Sequence, residues 1–302
     1  MNQTTPKVEL LKIRDLGETI TDSFTFLRQN LKPLLTCFFI FCGFFLAAEI
    51  VLAVIQQSKV VNQVNNFNFF TNRMNSTDEN PFAFFGIEYF LSIIFILLNY
   101  TALPVIVYSY MTIYKEKGNE PATPQEVWGY FKFFYLKVLG SSILISLLIV
   151  VGVILCIIPG IYLYPIMALI FPVMICENTT FGYAFNRSFK LIKDNWWTTF
   201  GTMFIMILIV YFAVTAILLP LTLLNFSGFF LHPAKGMHLS QSVTIITTVL
   251  QHLCQVFYIL PLTAVGLCYY NLTEKLDSPG LMERLNRLGN TEPDNTLPGE
   301  GY

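Results

Sequence analysis

Six polar or ionisable side chains lie within or at the edge of long apolar runs of this sequence, and their types make them candidates for chemistry. An ionisable residue in such a run is costly to bury and is by default a functional candidate. We group these residues as one predicted intramembrane polar cluster. The cluster consists of Glu49, Glu88, Asn99, Gln251, His252 and Gln255.

Two roles are open for this cluster. In the first, Glu49 and His252 form a proton relay in a polar transport pocket. In the second, the side chains hydrogen-bond across helices and fix packing, each contributing under about 1 kcal/mol. The sequence favours packing, because Glu49 lies about 22 Å from the inner end of its run and His252 about 15 Å from the outer end of its own. These depths do not clearly coincide.

A second candidate site ends on paired tryptophans, in the stretch "NTTFGYAFNRSFKLIKDNWW". Helical spacing places its apolar residues on one face and its cations on the other. Such cations either bind lipid phosphate or only orient the protein, and tryptophans anchor spans at the headgroup level. The predicted lipid-headgroup site consists of Arg187, Lys190, Lys193, Trp196 and Trp197.

Motifs for other kinds of chemistry are missing from the sequence. It contains no hydrolase, metalloprotease or nucleotide-binding motif, and His232 and His238 lack the further ligands of a zinc site. The six cysteines form no CxxC pair, and a net charge of −1 offers no broad basic surface to nucleic acid. We therefore expect no catalytic residue, metal, cofactor or nucleic-acid partner.

The elements that must position the candidate residues are transmembrane helices. The chain is 54% hydrophobic and only 12% charged, roughly half the charged fraction of a soluble domain. Runs near the length that crosses a bilayer occur at 34–55, 86–112, 136–157, 161–176, 198–223 and 242–270. The predicted fold is an all-α integral membrane protein with six spans. The fourth span is short and carries two prolines, so we expect it to be kinked or to cross only partly.

The remaining segments define the predicted organisation. Residues 1–33 form a cytoplasmic N-terminus with an amphipathic helix over 8–31, and residues 34–271 form the membrane domain. Exterior loops cover 56–85 and 224–241, and Pro159-Gly160 forms a tight turn between the third and fourth spans. A cytoplasmic helix covers 272–289, and residues 290–302 form a disordered tail. Fifteen of the 18 Lys and Arg residues fall on the side of the termini, which predicts that both termini are cytoplasmic.

Short sequence matches also suggest internal repetition. Residues 23–30, "SFTFLRQN", resemble residues 188–195, "SFKLIKDN", and residues 124–134 are a weaker third counterpart. Each match precedes an apolar run. The pattern predicts three units, each an amphipathic interfacial helix on the cytoplasmic side followed by a helical hairpin.

Several of these residues carry a resemblance to a known family. "IPGIYL" at 158–163, Phe171-Pro172-Val173, the segment Ala184 to Trp196 and the closing "YYNLTEKLDSPGLMERL" resemble bacterial multispanning proteins named for the membrane domain of glycerophosphoryl diester phosphodiesterases. The resemblance covers most of 120–288 and implies a bacterial inner-membrane protein with a lipid connection. Some family members carry a fused catalytic barrel, for which this chain has no matching residues, so we expect no phosphodiesterase activity.

The sequence therefore leads to two functional hypotheses. The first is a non-enzymatic scaffold or accessory subunit that contacts membrane lipids, with a larger membrane protein complex as its expected partner. The alternative is a transporter or lipid-handling protein that uses the polar pocket around Glu49 and His252.

Overall fold

The fold is a bundle of helices, six of which are long and apolar enough to cross a membrane. A computed structural model describes residues 6–68, 73–74, 86–155, 157–231, 239–282 and 285. The candidate spans are Leu16–Asn65, Ile87–Glu116, Pro124–Gly152, Pro159–Cys176, Trp196–Ser227 and Gln241–Asp277. The predicted all-helical, six-span class is thus confirmed. His232, His238 and the predicted tail lie outside the described residues.

Eight α-helices and one short hairpin make up most of the described chain, and residues 279–282 and 285 are also helical. The helices are α1 Leu16–Asn66, α2 Ile87–Glu116, α3 Pro124–Leu155, α4 Ile157–Cys176, α5 Phe181–Ile192, α6 Trp196–Leu231, α7 Gln241–Leu253 and α8 Ile259–Asp277. Strands β1 Phe67–Asn68 and β2 Arg73–Met74 pair antiparallel after α1. A 3-10 turn, Cys254–Tyr258, joins α7 to α8.

The first helix is longer than predicted at both ends. Residues 8–15 are not helical, and α1 then runs for 51 residues without a break, with Pro33 inside it. Residues 16–31 of the predicted amphipathic helix are helical but continue directly into the first span, so the helix ahead of that span is not confirmed as a separate element. Residues 56–66, predicted as the start of an exterior loop, also belong to α1. Residues 56–66 contain no helix-ending glycine or proline, and their glutamines and asparagines are compatible with a continuing helix.

The junction between the third and fourth spans also differs from the prediction. Pro159 and Gly160 lie in the first turn of α4, where a proline is tolerated because its missing N–H has no intrahelical partner. Gly160 instead faces Gly152 of α3: a Cβ on Gly152 would lie 3.7 Å from the Gly160 Cα. The two small residues therefore let α3 and α4 approach closely rather than forming the turn.

Helices α2 and α8 form the centre of the bundle. Every residue of α2 from Thr101 to Tyr114 is buried, and α2 packs against α1, α3, α4 and α8. At Gly266 of α8 a Cβ would lie 2.5 Å from the Met111 Sδ. The glycine therefore leaves room for the end of the Met111 side chain between α2 and α8.

Two asparagine side chains join the first helix region to the last helices. The Asn271 amide accepts from the Arg14 N–H and donates to the Arg14 carbonyl, both at 3.0 Å. The Asn65 amide pairs in the same way with Leu239, accepting at 2.8 Å and donating at 3.1 Å. Each asparagine thus satisfies a backbone N–H and C=O that no helix satisfies. Together they hold the chain on both sides of α1 against the α7–α8 region.

The side chain of Arg14 organises the N-terminal segment. It is completely buried, and its Nε lies 2.8 Å from the Asp22 carboxylate. Its guanidinium also donates to the carbonyl of Leu10 at 2.9 Å, to that of Lys12 at 3.1 Å, and to that of Glu9. A buried charge of this kind is tolerated because its N–H donors are almost fully used.

The last span is interrupted near its middle. Pro261 lacks the N–H that would bond to the carbonyl of Phe257, and the chain between α7 and α8 tightens into the 3-10 turn just before it. Gln255 lies in this turn. Gln255, a predicted site residue, therefore does not lie in a regular α-helix.

The predicted repeat is matched only in part. Ser23 and Ser188, equivalent in the two best matches, are both fully buried. The helices around them differ, however: residues 23–30 lie within α1, whereas residues 188–195 cross the end of the separate helix α5. The described helices therefore do not form three equal units.

We expect Arg14→Gln to lower the free energy of unfolding by about 3 kcal/mol, because it removes a buried charge and leaves backbone carbonyls without donors. The matched control is Arg28→Gln, since Arg28 is an exposed arginine on α1, and its replacement should change stability by less than about 0.5 kcal/mol. Unfolding in mixed detergent micelles measures both. Equal losses in the two variants would show that the Arg14 contacts do not hold the fold.

Candidate functional site

The polar centre of the bundle is a hydrogen-bonded network that joins three helical regions. Glu49 of α1 is 1% exposed, and its Oε2 accepts from the Gln255 Nε2 at 2.8 Å. The Gln255 Oε1 in turn accepts from the Asn99 Nδ2 of α2 at 2.6 Å. The structure thus brings together three of the residues predicted as a cluster.

This network ends in acceptors that have no donor. The Glu49 Oε1 and the Asn99 Oδ1 are buried and have no hydrogen-bond partner among the described residues. The Asn99 side chain is also a hydrogen-bond donor to the Glu49 carboxylate, although no described donor meets the Oε1 in good hydrogen-bond geometry. Burying a polar atom without a partner costs free energy, and a carboxylate costs most. The network is therefore completed by a hydrogen-bond donor: a proton on Glu49, a water molecule or a ligand with N–H or O–H groups.

Glu49 also lines a cavity large enough for such a ligand. The cavity has a volume of about 490 Å³, within the range of small-molecule sites. Gln251 and His252 line it with Glu49, so residues that the sequence placed at uncertain depths meet at one cavity. His252 lies near the end of α7, just before the chain tightens into the 3-10 turn Cys254–Tyr258.

His252 contributes an acceptor to this cavity when its ring is neutral. Its Nδ1 lies 2.9 Å from the carbonyl oxygen of Thr248. A carbonyl oxygen only accepts, so Nδ1 must carry the hydrogen and Nε2 has a free lone pair. The ring is near enough to Glu49 for an electrostatic interaction between them.

Most of the other polar residues that line the cavity were not predicted as site residues. They carry hydroxyl or amide groups, which are common in helices and give no signal singly. A possible signal was the spacing of Thr244 and Thr248, four residues apart on one helical face. The additional polar lining residues are Gln56, Gln57, Ser92, Thr222, Asn225, Thr244, Thr247 and Thr248.

Glu88 lies elsewhere. It is at the beginning of α2 and is not among the residues that line this cavity. Its carboxylate forms an ion pair with Lys59 of α1. Glu88 therefore already has a cationic partner, whereas Glu49 has none among the described lysines and arginines.

The residues of the predicted lipid-headgroup site lie on α5, just after it and at the start of α6. Helix α5 buries Ala184, Ser188, Leu191 and Ile192, which confirms the predicted apolar face. The chain leaves α4 at Cys176 and returns through α5, so that the Trp196 Nε1 donates to the Tyr162 carbonyl at 3.1 Å. Helix α5 therefore lies beside α4.

Arg187 is engaged within the protein. It forms ion pairs with Asp277, at the end of α8, and with Glu177, whose Oε1 lies 3.4 Å from the arginine Nε. Burial by itself lowers the pKa of Arg187, but the contacts with these two carboxylates outweigh it and raise the pKa. Arg187 thus holds α5 to the end of α8, and its charge is neutralised inside the protein.

The other residues of the predicted lipid site divide into packed and exposed ones. Trp196 stacks on Tyr162 and Phe200, with ring centroids 5.7 and 4.9 Å apart. Lys190 and Lys193 are exposed, and Trp197 is 78% exposed. Lys193, Trp196 and Trp197 also line a surface cleft of about 520 Å³. Only the two lysines and Trp197 are thus free to meet a lipid headgroup.

The described residues contain no group of three or more His, Cys, Asp or Glu side chains that could hold a metal ion. Comparison of the chain with protein-family models, curated proteins and solved structures gives no match. The resemblance to the membrane domain of glycerophosphoryl diester phosphodiesterases therefore stays a prediction from sequence. Function must be argued from the geometry of the Glu49 network and the exposed cations.

Proposed function

We propose that this multi-pass membrane protein is not an enzyme and that it binds a positively charged ligand in the pocket around Glu49, which it transports or otherwise handles within the membrane. This was the alternative hypothesis from sequence. The observation that carries it is the Glu49 Oε1, a buried carboxylate oxygen with no partner beside a polar cavity.

The charge balance of the cavity supports a cationic ligand. Among the described residues that line it, Glu49 is the only one with a formal charge at neutral pH when His252 is neutral, and none is Lys or Arg. An ionised carboxylate in such surroundings is strongly destabilised unless it is paired. A cation that enters the cavity would pair with it and also meet the hydroxyl and amide oxygens around it.

A purely structural role explains the network less well. The Glu49–Gln255–Asn99 contacts do join three helical regions, as the packing hypothesis expects. A structural network, however, gains most when all its members are satisfied. Here one oxygen of Glu49 and the oxygen of Asn99 are left over.

We expect Glu49→Gln to weaken binding of methylammonium, as a probe, at least tenfold, because a hydrogen bond to a charged group contributes about 1.5–3 kcal/mol. Equilibrium dialysis of radiolabelled probe against the purified protein in detergent measures this. The matched control is Glu88→Gln, which removes the same charge from a carboxylate that is paired outside the cavity, and it should leave binding unchanged. Equal binding by the wild-type protein and Glu49→Gln would refute the proposal.

A second candidate function is contact with lipid headgroups, as a scaffold or accessory subunit. The observation that favours it is the exposure of Lys190, Lys193 and Trp197 along one segment. Two cations near an anionic surface each contribute about 1 kcal/mol of attraction. Arg187 is not part of this revised proposal because it is paired internally.

The double variant Lys190→Gln/Lys193→Gln should lower the amount of anionic phospholipid that co-purifies with the protein, with little change in thermal stability. Arg187→Gln should have the opposite profile, since it breaks the ties of α5 to Asp277 and Glu177. Lipid mass spectrometry and thermal unfolding separate the two effects. Unchanged anionic lipid in the double variant would remove the support for headgroup binding.

We also propose the location of the protein, a bacterial inner membrane, and its orientation, with both termini in the cytoplasm. The distribution of Lys and Arg supports cytoplasmic termini, and the resemblance to bacterial multispanning proteins supports a bacterial inner membrane. The amphipathic character of α5 supports its placement near the cytoplasmic interface, and the buried Ser23 and Ser188 support an ancestral internal repeat. Under the second candidate function, the protein is a scaffold or accessory subunit of a larger membrane protein complex.

A further inference from the structure

The cavity at Glu49 is one end of a longer cleft. A second cavity, of about 600 Å³, shares Ile96, Thr222, Gln251 and His252 with it. A third cavity, of about 350 Å³, shares Tyr100, Ile207 and Tyr258 with the second. The three cavities follow one another along α2 and α6 and share lining residues, and we call them together the α2–α6 cleft.

The polarity of the α2–α6 cleft changes from one end to the other. At the first end lie the Glu49 carboxyl and the hydroxyl and amide groups described above. At the far end the walls are aliphatic, aromatic or thioether groups, including Leu103, Pro104, Met167, Phe171 and Met203. Of the described residues there, none is charged, and only the tyrosines carry polar side-chain groups. Such a cleft suits a ligand with one polar end and one apolar end.

The length of the cleft agrees with such a ligand. Along α2 its lining residues extend from Ser92 to Tyr108, which corresponds to about 24 Å at 1.5 Å per residue. The hydrocarbon core of a bilayer is about 30 Å thick, so one leaflet contributes about half of that. The cleft is therefore longer than one leaflet and has room for a headgroup followed by an alkyl chain.

We propose that the ligand is an amphiphile with a protonated amine headgroup, bound with the amine at Glu49 and one alkyl chain along the apolar end of the α2–α6 cleft. This inference rests on the proposed function and names the chemical class of its ligand. The ammonium group donates to the Glu49 Oε1 and to the Nε2 of a neutral His252. The alkyl chain lies beside the Tyr100–Tyr258 pair, whose rings are in edge-to-face contact, with centroids 5.9 Å apart, and line both the second and the third cavity.

The charges around the cleft select an amine over a phosphate headgroup. A phosphate requires cationic or N–H donors, and the described residues that line the first two cavities include no Lys or Arg. The buried unpartnered oxygen of Glu49 would repel a phosphate. An ammonium group has the donors and the charge that this end of the cleft lacks.

The cleft also has a route by which an amphiphile can enter from the bilayer. Tyr211, Leu219 and Tyr258 line its middle part and are 63%, 49% and 39% exposed. In a membrane, apolar residues exposed on the outside of a bundle face lipid. The alkyl chain can therefore slide in sideways while its headgroup moves towards Glu49, without crossing the bundle.

The test uses two photoreactive primary amines with the purified full-length protein in lipid nanodiscs. One carries a diazirine on a short chain, and the other carries it near the end of a 16-carbon chain. A 16-carbon alcohol with the same diazirine controls for partitioning into the bilayer. Peptide mass spectrometry locates the cross-links, and wild type is compared with Glu49→Gln and with the control Glu88→Gln, after thermal unfolding has shown that all three are folded.

We expect the long amine to label the apolar end of the cleft, around Met203 and Ile207, at least tenfold more than the long alcohol does. This labelling should be lost in Glu49→Gln and kept in Glu88→Gln. If only the short amine labels in a Glu49-dependent way, the amphiphile is wrong and the cation pocket stands. If neither amine depends on Glu49, the proposed function fails as well, and a protonated Glu49 within a structural network explains the geometry.

Discussion

Polar groups inside a membrane-spanning bundle must find their partners within the protein, and this constraint shapes the whole structure. Lipid offers no hydrogen bonds, so the backbone is satisfied by forming helices. The same rule explains the two asparagines that replace helix partners at the ends of α1. Asn271 pairs with both backbone groups of Arg14, and Asn65 pairs with those of Leu239. Both contacts tie distant parts of the chain together.

Hydroxyl groups obey the constraint locally. The buried hydroxyl groups of Ser23, Ser141 and Thr263 each donate to the carbonyl four residues earlier in the chain and so need no partner from another helix. Such residues tolerate burial without marking a site. Glu49 cannot follow this route, because an ionised carboxylate only accepts and the helix carbonyls offer it no donor. It accepts from Gln255, and in the part of the chain that the structure describes its Oε1 has no donor in good hydrogen-bond geometry.

In both candidate sites, a charge that is paired within the protein is not available to bind a ligand. Arg187 and Glu88 appear in the sequence as candidates equal to Lys193 and Glu49. In the structure Arg187 pairs with Glu177 and Asp277, and Glu88 pairs with Lys59. Their charges are therefore used within the fold. The candidates that remain are the ones without such a partner: Glu49 in the interior, and Lys190 and Lys193 on the surface.

The sequence by itself determined the class of the protein, because length and hydrophobicity are enough to specify a transmembrane helix. It located the six spans, the apolar face of α5 and the polar residues Glu49, Asn99 and Gln255. It could not locate the helix ends near Leu16 and Asn66, where polar residues continue the helix, nor the role of Gly160. Only the tertiary structure decided which polar residues meet and which charges are paired, because these depend on the crossing of helices that are far apart in sequence. Gln255 reaches Glu49 from 206 positions away, and no local pattern of residues encodes that distance.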